Sequence, residues 1–280
     1  MAKSFAPLSL TLQRRHMTFV PSIQHPLLPL PFPERTCGSI KTNPREIQDS
    51  FGKCGIDQVA FIRHGNTAPS ATGRDFDRQL TDLGRRQSSA AGASYGSSRL
   101  MPYYKHGALC SPAPRCVETA QLFLDASYKT ANTSSGKPPL ILDSRMYDGT
   151  MQPEGSRLFR SIGYAPLREY LENPDANDAN AAKFVLGEYA RTSLDVIWEE
   201  VIAKHDSDAA EKSADSKNGE TLLFFAHAIY LPSAVLGLAS AVGCIGEELD
   251  IVLDTNTQEA QGYLMHIHDQ TVSLLQRPGE

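Results

Sequence analysis

Two arginines and two histidines stand in this sequence just where apolar runs stop. Val59-Ala60-Phe61-Ile62 passes without a spacer into Arg63-His64-Gly65-Asn66-Thr67. Leu109-Cys110 leads to Ser111, with Arg115 four residues on, and Leu222-Leu223-Phe224-Phe225-Ala226 ends in His227. Two guanidiniums and two imidazoles with no metal-binding carboxylate beside them suit a tetrahedral oxyanion, because the forked donors of Arg match phosphate. A histidine in such a place can also attack phosphorus. Its imidazole is largely neutral near an unperturbed pKa of ~6.5, and nearby cations favour that nucleophilic form. A charge-assisted hydrogen bond from Arg contributes roughly 1.5 to 3 kcal/mol, and counts toward rate when aimed at charge that grows in the transition state. Such bonds do not supply the whole acceleration of phosphate-ester cleavage, so nucleophile positioning and leaving-group protonation must add to it.

These residues meet only if the elements behind them align. Each run reads as a strand buried on both faces, and a parallel sheet brings the carboxyl ends of such strands to one rim, where ligands bind. After the first strand, the loop 68–79 carries Gly73, Arg74 and Arg78, and Thr81 is a suitable N-cap for a helix ending near Gly96. Ser111 as N-cap and Pro112 in the first helical position predict a second helix, with Ala113, Val117, Ala120 and Leu124 on one face and Arg115 in its first turn. Residues 139–142 predict another buried strand. Helices are expected over 166–172, 184–204 and 232–242, with loop over 173–180 and disorder over 205–220; strands are expected over 250–253, 262–268 and 271–275. No internal repeat is visible.

At 280 residues, with 41% hydrophobic and 21% charged residues, the chain is long enough for one large soluble α/β domain. The net charge of −5 argues against nucleic acid as a partner. No apolar run approaches the ~20 residues of a membrane span. Five scattered cysteines, Cys37, Cys54, Cys110, Cys116 and Cys244, are no disulfide framework and point to a reducing, intracellular compartment. Residues 1–33 carry Lys3, Arg14 and Arg15 and no acid, which reads either as an organellar presequence or as a proline-broken tail. The protein is then cytoplasmic or, with a presequence, chloroplast or mitochondrial. The domain is expected over 55–280, behind a poorly ordered extension of residues 1–54.

Ile62-Arg63-His64-Gly65-Asn66-Thr67, Leu80-Thr81 with Gly84 and Gln87, Ser111 with Arg115, Glu118, Thr119 and Ala120, and Phe225-Ala226-His227 together resemble the histidine phosphatase superfamily, also called phosphoglycerate mutase-like. Four motifs in order, over about residues 57–268, make the resemblance specific. It implies a three-layer α/β sandwich with a mainly parallel central sheet. It also implies a phosphorylated His64, phosphate held by Arg63, Arg115 and His227, and no metal or cofactor. Members use a carboxylic acid to protonate the leaving group, usually a Glu that in the mutase pattern falls here on Ser144. Asp148 is the substitute, with Asp143 and Glu154 behind it. Residues 75–81 are more similar to the small phosphohistidine phosphatases, which puts phosphoproteins beside phosphorylated small molecules as substrates; Asn66, Thr67 and Arg78 are the candidate substrate contacts.

Other readings compete. Asp148-Gly149 is also a common turn pair, Arg74 and Arg78 read as solvated, and Glu118 as a local cap or pair. His266 and His268 lack a third metal ligand. Cys110 would suit a thiol phosphatase loop, but only four residues separate it from Arg115, one short. The function expected is hydrolysis of a phosphate monoester or phosphoramidate through phospho-His64. A catalytically silent phospho-ligand binder or regulator is the alternative, and a phosphoglycerate mutase ranks third.

Overall fold

The computed structural model describes residues 43–97, 102–132, 136–147, 152–208 and 219–275. Its centre is a six-stranded sheet in the order β3-β2-β4-β1-β5-β6. The strands are β1 (Ile56–Arg63), β2 (Ala108–Cys110), β3 (Leu140–Leu142), β4 (Glu220–Ala226), β5 (Gly262–His266) and β6 (Thr271–Leu275). β3, β2, β4 and β1 pair in parallel, and β5 and β6 add an antiparallel edge. The fold is thus mixed α/β with a mostly parallel sheet, as expected.

The continuous apolar runs are explained by helices on both faces, since alternate residues point to opposite sides. Ala60, Ile62, Leu223 and Phe225 pack under α2 (Asp82–Gly96) and α3 (Pro114–Ala131). Val59, Phe61, Leu222 and Phe224 pack the other way, into a larger core with α1 (Pro44–Lys53), α6 (Ala176–Ile197) and α8 (Tyr230–Val242). Each Val, Leu, Ile or Phe side chain among them, removed fully from water, contributes roughly 1.5 to 3 kcal/mol. Helices α4 (Gln152–Ile162) and α5 (Leu167–Leu171) precede α6, which runs on through a π-helical turn, Trp198–Ile202, into α7 (Ala203–Asp208); α9 (Glu247–Asp254) follows α8.

Several expected boundaries move. Residues 44–54 are no disordered margin. Asn43 caps α1, Pro44 opens it, and Ile47 and Phe51, four apart, bury themselves in the core. α6 begins at Ala176 rather than 184, because the Asp175 side chain accepts from the backbone N–H groups of Asn177 and Asp178. Residues 205–208 belong to α7 and Glu220 to β4, while 209–218 lie outside the described residues. The stretch 250–253 is helix: Leu249, Val252 and Leu253 are buried at helical spacing. α3 is capped at Ala113, with Pro114 in its first turn, and the Ser111 hydroxyl meets His227 while accepting from the Ala113 N–H at 3.4 Å. Residues 1–42 lie outside the described residues. No helix among the described residues is long and apolar enough to cross a membrane.

Candidate active site

β1 and β4 run side by side with Arg63 opposite Ala226, and the His64 N–H donates to the Ala226 carbonyl at 3.2 Å. His64 and His227, the first residues past the two strands, therefore emerge as neighbours, with ring centroids 5.5 Å apart. On the other side of β4, the Ser111 N–H donates to the Phe225 carbonyl at 3.1 Å, which sets the start of α3, and Arg115 with it, against His227. Close approach fixes the turn after β1. A Cβ on Gly65 would lie 2.5 Å from the Gly84 carbonyl oxygen, and one on Gly84 would lie 2.1 Å from that of Asn66. α2 thus presses on the Gly65-Asn66 backbone, Thr119 of α3 accepts from the Gly65 N–H at 3.0 Å, and Gln87 accepts from that of Asn66 at 2.9 Å.

Arg63, His64, Arg115 and His227 are each less than a tenth exposed. Burial, then the charges of Arg115 and Arg63, hold the His64 pKa well below its ordinary value, so its ring is neutral. Its Nδ1 lies 2.8 Å from the Gly65 carbonyl oxygen, which only accepts; Nδ1 carries the hydrogen and Nε2 keeps the lone pair. His227 is likewise kept neutral, by burial first and then by Arg115 and His64. Arg115 Nη2 donates to His227 Nδ1 at 3.2 Å, so the hydrogen sits on Nε2 and meets Ser111 Oγ at 2.8 Å.

Arg63 donates to the Thr257 carbonyl at 2.6 Å, stacks 4.5 Å from the centre of the Tyr164 ring and lies 3.7 Å from Glu259. Arg115 grips Asp75, Nη2 to Oδ2 and Nη1 to the main-chain oxygen, both at 2.6 Å. Its Nε, though buried, has no hydrogen-bond partner among the described residues. Such an orphan calls for an explanation, and an anion in the cleft is one.

These residues line a cleft of about 390 Å³ that also takes in Asn66, Thr67, Arg78 and Arg160. Among its described residues, four arginines face two carboxylates, Asp75 and Glu259, an excess of two positive charges. That balances the two negative charges of a phosphate monoester dianion. Arg78 is not simply solvated: it donates to Thr67 Oγ1 and, at 3.1 Å, to the Ala68 carbonyl. Arg74 is 75% exposed and pairs with Asp77, as a solvated residue would.

The structure thus brings Arg63, His64, Asn66, Thr67, Arg78, Arg115 and His227 together. Asp148 lies outside the described residues. The two reserve acids are not in the cleft. Asp143 caps a short 3-10 turn, Ser144–Met146, and is gripped by Arg145; burial pushes its pKa up, but the bonds and charge of Arg145 outweigh that and leave it lowered. Glu154 pairs with Arg157. Glu118 pairs with Arg85 at 2.6 Å. Cys110 is fully buried and its pKa is driven well above normal by burial, and burial pushes Cys116, 3.6 Å from His227, up to about 12. Neither offers a thiolate. Asp75, Tyr147 and Glu259 are cleft residues that the sequence did not single out. Asp75 stood beside Arg78 in a motif already noticed, whereas Glu259 and Tyr147 reach the cleft only through the fold.

Residues 59–135 match the sequence model for the histidine phosphatase superfamily, branch 1. The resemblance to that superfamily holds. Three of the four motifs fall inside the matched stretch, and β4 delivers the fourth, His227, to the same place. Among solved structures, the chain is similar to a protein named as the phosphohistidine phosphatase SixA of Agrobacterium tumefaciens (17% identity, 75% of this chain and 89% of that one, TM-score 0.41). It is also similar to a phosphoglycerate mutase of Bacillus anthracis (14%, 78% and 90%, 0.43). A third likeness is to a phosphoserine phosphatase of Entamoeba histolytica (14%, 78% and 94%, 0.43). No curated protein matches.

Proposed function

We propose that this protein is a histidine phosphatase that hydrolyses a phosphate monoester or phosphoramidate through a phosphohistidine on His64. One observation carries the reading: a buried, neutral imidazole whose Nδ1–H is tied to the Gly65 carbonyl, leaving the Nε2 lone pair in a cleft with an excess of positive charge. The Nε2 pair forms a bond to phosphorus as the bond to the leaving oxygen breaks, and water then attacks the phosphohistidine and returns the pair to Nε2. Arg63 and Arg115 would hold the phosphoryl oxygens, and His227 can take up a proton on Nδ1 only as Arg115 turns from that nitrogen to the phosphate. This chemistry uses no cofactor or metal.

Incubation with p-nitrophenyl phosphate tests the reading. The wild type should turn over and, after a rapid quench, carry acid-labile, base-stable phosphate. His64→Ala should lose at least ~10³-fold in kcat and carry no label. Turnover undiminished in His64→Ala would overturn the mechanism. The second reading, a silent binder of phosphorylated ligands, is favoured by the absence of Asp143 and Glu154 from the cleft; a wild type that binds phosphate but turns over no ester would establish it. Dependence on 2,3-bisphosphoglycerate would mark a mutase.

A further inference from the structure

We infer that Asp75 occupies the phosphate site while it is empty and, once displaced by substrate, protonates the leaving group. The inference rests on the proposed phosphohistidine reaction. Asp75 opens a short 3-10 turn, Asp75–Asp77, in the connection between β1 and α2. Its carboxylate spans two arginines, Oδ2 at 2.6 Å from Arg115 Nη2 and Oδ1 at 3.3 Å from Arg78 Nη1. Arg115 Nη2 also touches His227 Nδ1, so the Asp75 oxygen sits beside both side chains proposed to hold phosphate. The Arg115 side chain is only 4% exposed, and a buried guanidinium needs an anion. Asp75 supplies one from a side chain that is itself 48% exposed, and so can leave.

A phosphate dianion is the stronger partner for a forked donor, and exchange on Arg115 frees Asp75. The turn does not drift away, because the Phe76 ring packs edge-on against Tyr147, 4.8 Å between centroids, and Tyr147 lies under Arg115. Released from the two arginines, the carboxyl remains at the mouth of the phosphate site, where it can carry a proton to the leaving oxygen. It gives that proton to the ester oxygen as the P–O bond breaks and the P–Nε2 bond of His64 forms. In the second step it takes a proton from the water that attacks phosphorus, while the P–Nε2 pair returns to His64. Product release then lets Asp75 go back to Arg115. Glu259, the other described carboxylate of the cleft, stands off at 3.7 Å from Arg63 and makes no contact with Arg115 that would link its freedom to substrate.

The test uses the full chain and two esters, p-nitrophenyl phosphate, whose phenolate leaves without a proton, and 2-phenylethyl phosphate, whose alkoxide does not. Asp75→Asn should lower kcat for the alkyl ester by about 10²- to 10⁴-fold and for the aryl ester by less than ~10-fold. By calorimetry it should bind inorganic phosphate about fivefold more tightly, since the competing carboxylate charge is gone. Asp75→Ala should behave alike, with thermal unfolding showing that both variants fold. Equal losses on both esters, weaker or unchanged phosphate binding, or a leaving-group-dependent loss in Glu259→Gln instead would overturn the inference. A wild type that turns over neither ester overturns the phosphatase reading and the acid role with it. The phosphate titration still decides whether Asp75 is the resident anion.

Discussion

His64 and His227 are held neutral by burial and by arginines, and that has a consequence for stability with a definite sign. In the folded protein both pKa values lie well below 6.5, whereas in the unfolded chain both rings return to about that value. Below pH ~6.5 the unfolded chain binds protons that the folded one refuses, so stability falls as pH falls, by up to ~1.4 kcal/mol per pH unit for each ring. Urea midpoints measured at pH 7.5 and 5.5 should therefore drop more in the wild type than in His227→Asn. Saturating phosphate should shrink the wild-type drop, because an anion in the cleft lets the rings accept protons. An equal pH dependence in the two proteins would show that the buried rings titrate normally.

At the scale of elements, the contact of α2 with α3 decides how far the Arg115 helix sits from the turn after β1. A Cβ on Gly92 would lie 2.1 Å from the Phe123 carbonyl oxygen. On an exposed helix, Gly→Ala stabilises by up to about 1 kcal/mol. Here overpacking reverses the sign, and Gly92→Ala should destabilise by ~1 to 3 kcal/mol in urea unfolding while lowering turnover, because Arg115 and Thr119 move with α3. α1 makes a second prediction. Phe51 is 1% exposed in the core, so Phe51→Ala should cost ~3 to 5 kcal/mol. A chain shortened to begin at Gly55 should unfold at a distinctly lower temperature than one beginning at Asn43, and equal melting of the two would show α1 to be dispensable.

Across the whole molecule, the sequence was most legible where one physical cause acts alone. β1 and β4 are covered on both faces, so their apolar runs are unbroken and the polar residues that end them mark the rim without ambiguity. α9 shows the opposite case: Ile251, Val252 and Leu253 in a row imitate a buried strand, and only Leu249, two residues earlier, gives the helical period. α4 carries Glu154, Arg157 and Arg160 with Gly155 between them, too little apolar surface to announce a helix. Asp75 was illegible for another reason. It stood at the head of the noticed stretch 75–81, but its meaning comes from Arg115, forty residues away in sequence and 2.6 Å away in space.

The backbone ladder that joins β1 to β4 runs in register up to Arg63 and Ala226, and the His64 N–H extends it by one more bond. The two imidazoles are thus mounted on adjacent rails of one rigid frame, and no hinge lies between them. The rest of the cleft wall comes from the connections around that frame, including Asp75 and Arg78 of residues 68–79, Phe159 and Arg160 of α4, and Tyr164 after it. Exchanging those connections should redirect selectivity while the gauge between the rails, and with it the proposed phosphoryl transfer, stays constant.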